Sequence, residues 1–298
     1  MSPELDVLVP TRNRPEELAT TLAGLAAQDH PSFGVVLSDQ SDGPAGFDTP
    51  SARTMIRLLR YRGHPVRTLR HLPRRGLAEH RAFLLAQSTA RYVLFLDDDV
   101  WLEPGAISLL RKAIGELRCG LVGSAVQGLS YVDDERPEEL EPYEEWPGRP
   151  QPELITNGSP EWNRLTLHNA ANPVHLAEKL DLAPGEWRAY KVAWIGGCVL
   201  YDRAALVAAG GFDFWTDLPP EHAGEDVLAQ LRVLAQYGGA GILPSGAVHL
   251  EAPTTVPRRD VEAWAVIPVD DGETGETHAA HAHAGAEDGG RRALPRRP

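Results

Sequence analysis

Cysteine is almost absent from this sequence, which contains only Cys119 and Cys198. The two lie far apart in apolar surroundings, which favours buried thiols in a reducing compartment over a disulfide or a metal site. The chain starts with Glu4 and Asp6 rather than the basic residues of a signal peptide. Long apolar runs are also missing, since the longest, Val192 to Tyr201, is far shorter than the ~20 residues of a membrane-spanning helix. We therefore expect a cytoplasmic protein with no integral membrane segment, for which peripheral association with a membrane stays open.

Positive charge is scarce as well. The chain has 29 Lys and Arg against 42 Asp and Glu, a formal net charge of -13. A nucleic-acid-binding protein presents a basic face, so we expect no nucleic-acid partner. The length of 298 residues suits one large α/β domain or one domain with an insertion. Beyond about residue 270 the apolar residues disappear, which predicts a disordered tail at 270–298.

The first half of the chain alternates between strand and helix patterns. Apolar runs predict strands at 5–9, 35–37, 66–69, 92–96 and 121–126. Helical periodicity predicts helices at 15–28, 54–60, 76–88 and 104–117. This alternation with short connections predicts an α/β fold with a parallel, doubly wound sheet. Ligands bind such sheets at the carboxyl ends of the strands, so Pro10–Arg14, Asp39 and Asp97–Asp99 should border one crevice.

The pattern changes after the fifth strand. Residues 131–190 are rich in Pro, Glu, Trp and Asn with weak periodicity, which predicts a long insertion with irregular structure. Regular elements are expected to return at 192–201 and at 203–209, and Gly210-Gly211 is a helix stop. A strongly amphipathic helix is predicted from Glu225 to about Tyr237, where two glycines end it.

Three consecutive carboxylates, Asp97, Asp98 and Asp99, end the apolar strand at 92–96. An ionised carboxylate cannot be buried without a cation, hydrogen-bond donors or water. Oxygen ligands of this kind suit Mg²⁺ or Mn²⁺, ions that commonly share their sites with phosphate oxygens. The alternative is a solvated acidic turn that caps the helix after Pro104.

Several segments, in this order, resemble family 2 glycosyltransferases, which share the GT-A fold, a Rossmann-like and mostly parallel sheet flanked by helices. The segments are 7–15, 36–43, 76–81, the D-x-D triplet 97–99, the glycine pairs at 196–198 and 210–213, and 224–227 with Arg232. One departure is Ala82, where the family has Asn. The resemblance covers about residues 4–128 and 192–250.

The resemblance assigns the nucleotide site to Pro10, Thr11, Arg12, Arg14, Asp39, Arg81, Asp97 and Asp98. In this assignment Asp39 contacts the base, while Thr11 and Arg14 lie beside the nucleotide or belong to an ordinary surface loop. Asp97 holds the ribose or a metal-bound water. Asp99, with His249 as a further ligand, binds the Mn²⁺ or Mg²⁺ that bridges the donor diphosphate. A structural or surface role is the alternative for His249.

For catalysis the resemblance points to the pair that begins the amphipathic helix. An acceptor hydroxyl is a weak nucleophile, so a carboxylate must take its proton during attack. We expect Asp226 to be this base and Glu225 to position it or the acceptor, with acidic helix capping as the alternative. The resemblance also implies displacement in a single step, and therefore inversion at the anomeric carbon. Tryptophans that could stack on an acceptor sugar are Trp146, Trp162, Trp187, Trp194 and Trp215.

Together these features predict an inverting, metal-dependent hexosyltransferase. A UDP-sugar is the favoured donor, and the acceptor is a glycan, a lipid-linked molecule or a small molecule. Residues 1–128 would form the nucleotide-sugar-binding half, 129–191 an insertion on the acceptor side, and 192–269 the acceptor-binding half.

Other hypotheses stay open at this point. A phosphatase of the haloacid dehalogenase type also uses a D-x-D motif, but Trp101 stands where that family needs Thr or Val. A nucleotidyltransferase would need a Gly-rich signature with Arg and Lys after the first strand, which the sequence lacks. The non-enzyme hypothesis is an inactive GT-A-like protein that binds nucleotides or acts as a scaffold.

Overall fold

The computed structural model describes residues 3–29, 32–256 and 258–269, so the predicted tail lies outside the described residues. The strands are β1 (Leu5–Thr11), β2 (Gly34–Asp39), β3 (Val66–Arg70), β4 (Tyr92–Leu96), β5 (Val100–Leu102), β6 (Leu121–Gly123), β7 (Arg188–Tyr190), β8 (Cys198–Asp202), β9 (Gly239–Leu243) and β10 (Ala247–His249). The α-helices are α1 (Pro15–Ala26), α2 (Pro50–Tyr61), α3 (Leu77–Ala86), α4 (Ala106–Leu117), α5 (Asn172–Leu180), α6 (Arg203–Ala208), α7 (Glu225–Tyr237) and α8 (Ala263–Val266). Short 3₁₀ segments lie at Gly46–Asp48, Leu129–Tyr131, Pro137–Leu140, Pro160–His168 and Asp213–Asp217.

Eight strands form one central sheet in the order β3-β2-β1-β4-β8-β6-β9-β7. Strands β1 to β4 pair in parallel, whereas β8 runs antiparallel between β4 and β6, and β7 runs antiparallel at the edge beside β9. The prediction of a mostly parallel sheet is therefore confirmed. A second, two-stranded sheet joins β5 to β10.

The side chains of the central strands alternate between two apolar cores, as expected for strands that are buried on both faces. Leu5, Val7 and Val9 of β1 belong to the core that includes apolar residues of α1, α2 and α4. Leu8 of the same strand faces the core that includes residues of α3 and α7. Because helices cover both faces, the carboxyl ends of the strands are where polar side chains can gather.

Two segments of the second half differ from the form that the sequence pattern indicated. The apolar run at 192–201 is a strand only from Cys198, because Gly197 has a φ of +75° and takes the backbone out of the extended conformation. The insertion contains the helix α5 and the strand β7, which its weak periodicity did not indicate. Strand β7 has three residues, too few for a recognisable strand pattern, and it is stabilised by antiparallel pairing with β9.

No helix among the described residues has both the length and the hydrophobicity that crossing a membrane would require.

The buried Gln230 of α7 connects this helix to the irregular segment before β8. Its side-chain amide accepts from the backbone N–H of Ile195 and donates to the carbonyl of Ile195, both at 2.8 Å. Replacing Gln230 with Leu should lower the free energy of unfolding by about 2–4 kcal/mol, because two buried backbone groups lose their partners. The exposed Gln236 of the same helix is the matched control, and its Leu variant should change stability by less than about 0.5 kcal/mol. Urea denaturation measures both, and equal losses would contradict this role of Gln230.

Candidate active site

A cavity of about 1540 Å³ opens at the carboxyl ends of β1, β2 and β4. Typical small-molecule pockets measure roughly 300–1,000 Å³, so this cavity is larger than a pocket for one small molecule needs to be. All predicted site residues except one line it, namely Pro10, Thr11, Arg12, Arg14, Arg81, Asp97, Asp98, Asp99, Glu225, Asp226 and His249. The fold thus brings together residues that are up to 239 positions apart.

Arg81, on α3, joins the two acidic motifs. Its guanidinium donates from Nε to Glu225 Oε1 at 2.8 Å and from Nη2 to Asp97 Oδ1 at 3.0 Å. Arg81 and Glu225 are both buried, whereas the side chain of Asp97 is 37% exposed. Burial opposes the charge of Arg81, but Asp97, Glu225 and Asp226 outweigh this effect and raise its pKa. The carboxylates can therefore stay in the protein interior because they surround one permanent cation.

Asp226 follows Glu225 at the start of α7. Its side chain is partly open to the cavity and otherwise surrounded by protein. Burial, followed by the charge of Glu225, raises the pKa of Asp226 from its ordinary value of 3.8 to about 7. A carboxylate with a pKa near 7 can accept a proton at neutral pH more readily than an ordinary one.

Asp98 and Asp99 share a different cation, Arg14. Its Nη1 donates to Asp99 Oδ2 at 2.6 Å and to Asp98 Oδ1 at 3.1 Å, while its Nη2 donates to the carbonyl of Pro253. Asp98 also accepts from Thr11 Oγ1 at 2.6 Å. Burial raises the pKa of Asp98 to about 7 despite these partners. Thr11 and Arg14 are thus parts of the site rather than of a free surface loop.

His249 reaches the site through the second sheet. It pairs with Val100 in the register of β10 and β5, directly after the acidic triplet. Its Nε2 lies 3.4 Å from Asp99 Oδ2, and its Nδ1 accepts from the backbone N–H of Glu251. Hydrogen bonding to Asp99 raises the pKa of His249. Burial opposes the ionisation of Asp99, but His249 and Arg14 outweigh it and hold the pKa of Asp99 below its usual value.

The donor set fits a divalent ion in chemistry but is incomplete by itself. Asp99 offers a carboxylate oxygen, the type of ligand that Mn²⁺ and Mg²⁺ prefer, and the His249 Nε2 lies 3.4 Å from it. Within the described part of the chain, no three His, Cys, Asp or Glu side chains are grouped closely enough to hold an ion. Such ions commonly complete their coordination with water and phosphate oxygens. Arg14 donates to Asp99 Oδ2, so one of the two carboxylate oxygens of Asp99 is already hydrogen-bonded.

Asp39 is the one predicted site residue that does not line the cavity. Its carboxylate is fully buried and accepts from Ser41 N, Ser41 Oγ and Gly46 N at 2.7, 3.1 and 2.8 Å. In this position it closes the loop that follows β2. The contact of Asp39 with a nucleotide base is therefore not supported by this geometry.

Other cavity residues escaped the sequence-based prediction. Gln40 belongs to the 36–43 segment, but nothing in the sequence indicated that it, rather than Asp39, lines the cavity. Trp264 comes from the short helix α8, and its ring lies 4.9 Å from that of Trp162. Of the other predicted tryptophans, Trp194 lines the cavity as well, whereas the remaining ones do not. No spacing in the sequence indicates which tryptophan meets the cavity, because the three come from separate elements.

The sequence pattern described as Glycosyl transferase family 2 matches residues 6–180, more than half of the chain. The chain belongs to glycosyl transferase family 2. This confirms the family that the ordered motifs indicated. No curated protein matches the chain at a significant level.

Solved structures resemble this family 2 chain in fold. The mannosyltransferase PcManGT from Pyrobaculum calidifontis, in complex with GDP-Man and Mn²⁺, has a TM-score of 0.51 and 14% sequence identity; the match covers 86% of this chain and 59% of that one. S. aureus TarS 1-349, in complex with UDP-GlcNAc, has a TM-score of 0.50 and 16% identity, with coverage of 86% and 60%. This chain thus spans about three fifths of the length of both. The GT-A fold prediction is confirmed.

Removing the charge of Arg81 should destabilise the folded protein. In Arg81→Gln, Asp97 and Glu225 lose their common cation, and a loss of about 3–5 kcal/mol is expected at pH 8. The loss should shrink at pH 5, where Asp226, with a pKa of about 7, is protonated and less repulsion remains. The control Arg53→Gln breaks an exposed pair with Asp48 and should cost less than about 1 kcal/mol. Denaturation at both pH values measures the two variants, and a loss independent of pH would contradict this account.

Proposed function

We propose that this family 2 chain transfers a sugar from a nucleoside-diphosphate sugar to an acceptor hydroxyl, with inversion at the anomeric carbon. The observation that carries the proposal is the convergence of two acidic motifs, Asp97–Asp99 and Glu225–Asp226, on one cavity, with Arg81 between them. A UDP-sugar is the first donor to test and a GDP-sugar the second. Both cysteines are buried and free, which fits a cytoplasmic location.

The donor diphosphate belongs at the end of the cavity that holds Arg14 and the acidic triplet. Residues 1–128 supply this half, at the carboxyl ends of β1 and β4, where open α/β sheets bind ligands. Asp99 and His249 would hold a Mn²⁺ or Mg²⁺ ion there, with Asp97 beside it. When bound, the ion supplies positive charge that stabilises the departing diphosphate. Arg14 supplies charge to the same place from the chain itself.

Asp226 is the base in this proposal. As the acceptor oxygen attacks the anomeric carbon, its proton passes to the Asp226 carboxylate. The bond from that carbon to the diphosphate oxygen breaks, and the electron pair leaves with the nucleoside diphosphate. Attack opposite the leaving group inverts the configuration. Arg81 and Glu225 hold the base in position and do not exchange protons in this step.

The acceptor belongs at the aromatic end of the cavity. Trp162, from the 129–191 insertion, and Trp264 form a pair of half-exposed rings, and Trp194 lines the cavity as a third. The Trp264 ring lies against Gly224, directly before the acidic pair, so closely that a Cβ at Gly224 would lie 2.6 Å from it. Flat aromatic faces suit the apolar face of a sugar ring, which favours a glycan or a glycosylated lipid over a small acyclic acceptor.

The first test is calorimetric titration of UDP, GDP and dTDP into the protein, with and without Mn²⁺. We expect one nucleotide to bind tightly with Mn²⁺, and Asp99→Asn to remove the Mn²⁺-dependent part. The exposed Asp133, outside the cavity, gives the control Asp133→Asn, which should bind normally. If no nucleotide binds under either condition, the donor site is refuted and a GT-A-like scaffold is the better account. Binding that ignores both Mn²⁺ and Asp99 would refute the metal assignment alone.

Catalysis by Asp226 is tested by hydrolysis of UDP-GlcNAc and GDP-mannose, in which water replaces the acceptor. Asp226→Asn should slow hydrolysis by about 10²–10⁴-fold while nucleotide affinity stays within about twofold, and Asp217→Asn is the exposed control. The wild-type rate should rise with pH towards about 7, because the active form of Asp226 is deprotonated.

The same raised pKa has a consequence for stability. Ionising Asp226 is disfavoured in the folded state, so the wild type loses stability as the pH rises from about 4 to about 7. Asp226→Asn removes that loss and should be the relatively more stable protein at pH 8. A rate profile that is flat between pH 5 and 8 would contradict the assignment of Asp226 as the base.

A further inference from the structure

The loop after β2 turns one polar side chain inward and the next towards the cavity. The carboxylate of Asp39 accepts hydrogen bonds from Ser41 and Gly46. The backbone N–H of Gln40 donates to the carbonyl of Thr11 at 3.0 Å, which extends the pairing of β1 and β2 by one residue. The position of Gln40 is therefore set by the sheet, at the carboxyl ends of two central strands.

The side chain of Gln40 lines the cavity and is 5% exposed. Its Nε2 is buried and has no hydrogen-bond partner among the described residues. Buried polar groups in proteins are nearly always paired, so an unpartnered Nε2 on a residue that lines the cavity points to a partner from outside the chain, either water or a ligand. The terminal torsion of a Gln side chain is broad, so the amide can turn to meet such a partner at little cost.

The surroundings of Gln40 suit a flat, largely apolar ring. The backbone N–H of His71 donates to the carbonyl of Asp39, which brings the residues after β3 beside the Gln40 loop. The next two of these, Leu72 and Pro73, also line the cavity. An amide side chain presents a donor and an acceptor side by side in one plane. The edges of uracil, thymine and guanine offer the complementary pair, a ring N–H next to a carbonyl oxygen.

We infer that Gln40, rather than Asp39, contacts the base of the bound nucleotide and decides which bases are accepted. The inference rests on the proposed function, since it needs a nucleoside diphosphate in the cavity. It has a specific consequence for selectivity. A neutral amide can reverse its donor and acceptor, so it tolerates cytosine, whose N3 carries a lone pair, better than a carboxylate would.

The test compares UDP, CDP and inorganic pyrophosphate, with Mn²⁺ present throughout, by calorimetric titration. In Gln40→Leu the affinity advantage of UDP over pyrophosphate should fall about tenfold, as expected for one to two lost hydrogen bonds. The affinity for pyrophosphate itself should stay within about twofold. In Gln40→Glu, which keeps the shape but only accepts, the preference for UDP over CDP should increase. Gln236→Leu, remote from the cavity, is the matched control.

The outcomes separate the two proposals. If the wild type binds no nucleotide, the proposed function fails and this inference fails with it. If the wild type binds UDP but both Gln40 variants keep its advantage over pyrophosphate and its preference over CDP, only the inference is overturned. Asp39→Asn is the decisive companion, because it should lower the melting temperature without changing base preference. If the base preference of that variant changed, Asp39 rather than Gln40 would be the residue that recognises the base.

Discussion

The Arg81 guanidinium is the interaction on which the candidate site depends. It lies between Asp97, at the end of β4, and Glu225, at the start of α7, and both contacts are direct. Without a cation at this point, three carboxylates including Asp226 would share one poorly solvated region. Repulsion and desolvation would then drive them apart or protonate them. The arginine thus allows the two acidic motifs to border the same cavity, while Asp226 keeps a raised pKa.

The acidic triplet is divided between two cations. Asp97 forms an ion pair with Arg81, whereas Asp98 and Asp99 form ion pairs with Arg14. Adjacent residues of the triplet therefore have different surroundings. The turn between β4 and β5 makes this division, since it ends one sheet and starts another. The second sheet also carries His249 to Asp99. Of the five acidic residues in the two motifs, all except Asp226 have an arginine partner among the described residues, even though the whole chain is strongly negative.

The insertion is part of the domain rather than an appendage. Its strand β7 joins the central sheet beside β9, and Arg164 of the same region forms a part-buried pair with Glu153. These contacts anchor the segment that carries Trp162 to the cavity wall. Under the proposed function this anchoring favours binding of an acceptor, because a side chain whose position is already set loses less conformational entropy when a ligand stacks on it.

The sequence alone determined the parallel sheet, its flanking helices and the family, because apolar runs, helical periodicity and short motifs are local properties of the chain. It also indicated Asp97–Asp99 as candidate site residues, since carboxylates after an apolar run need partners, whereas Glu225–Asp226 were indicated by the resemblance to family 2 glycosyltransferases. Only the tertiary structure decided which partner each one has. The carboxylate of Asp39 turns away from the cavity and Gln40 lines it, although both stand in the same motif. Pairing across 144 residues, as between Arg81 and Glu225, depends on the packing of helices on the sheet, and no spacing along the chain encodes it.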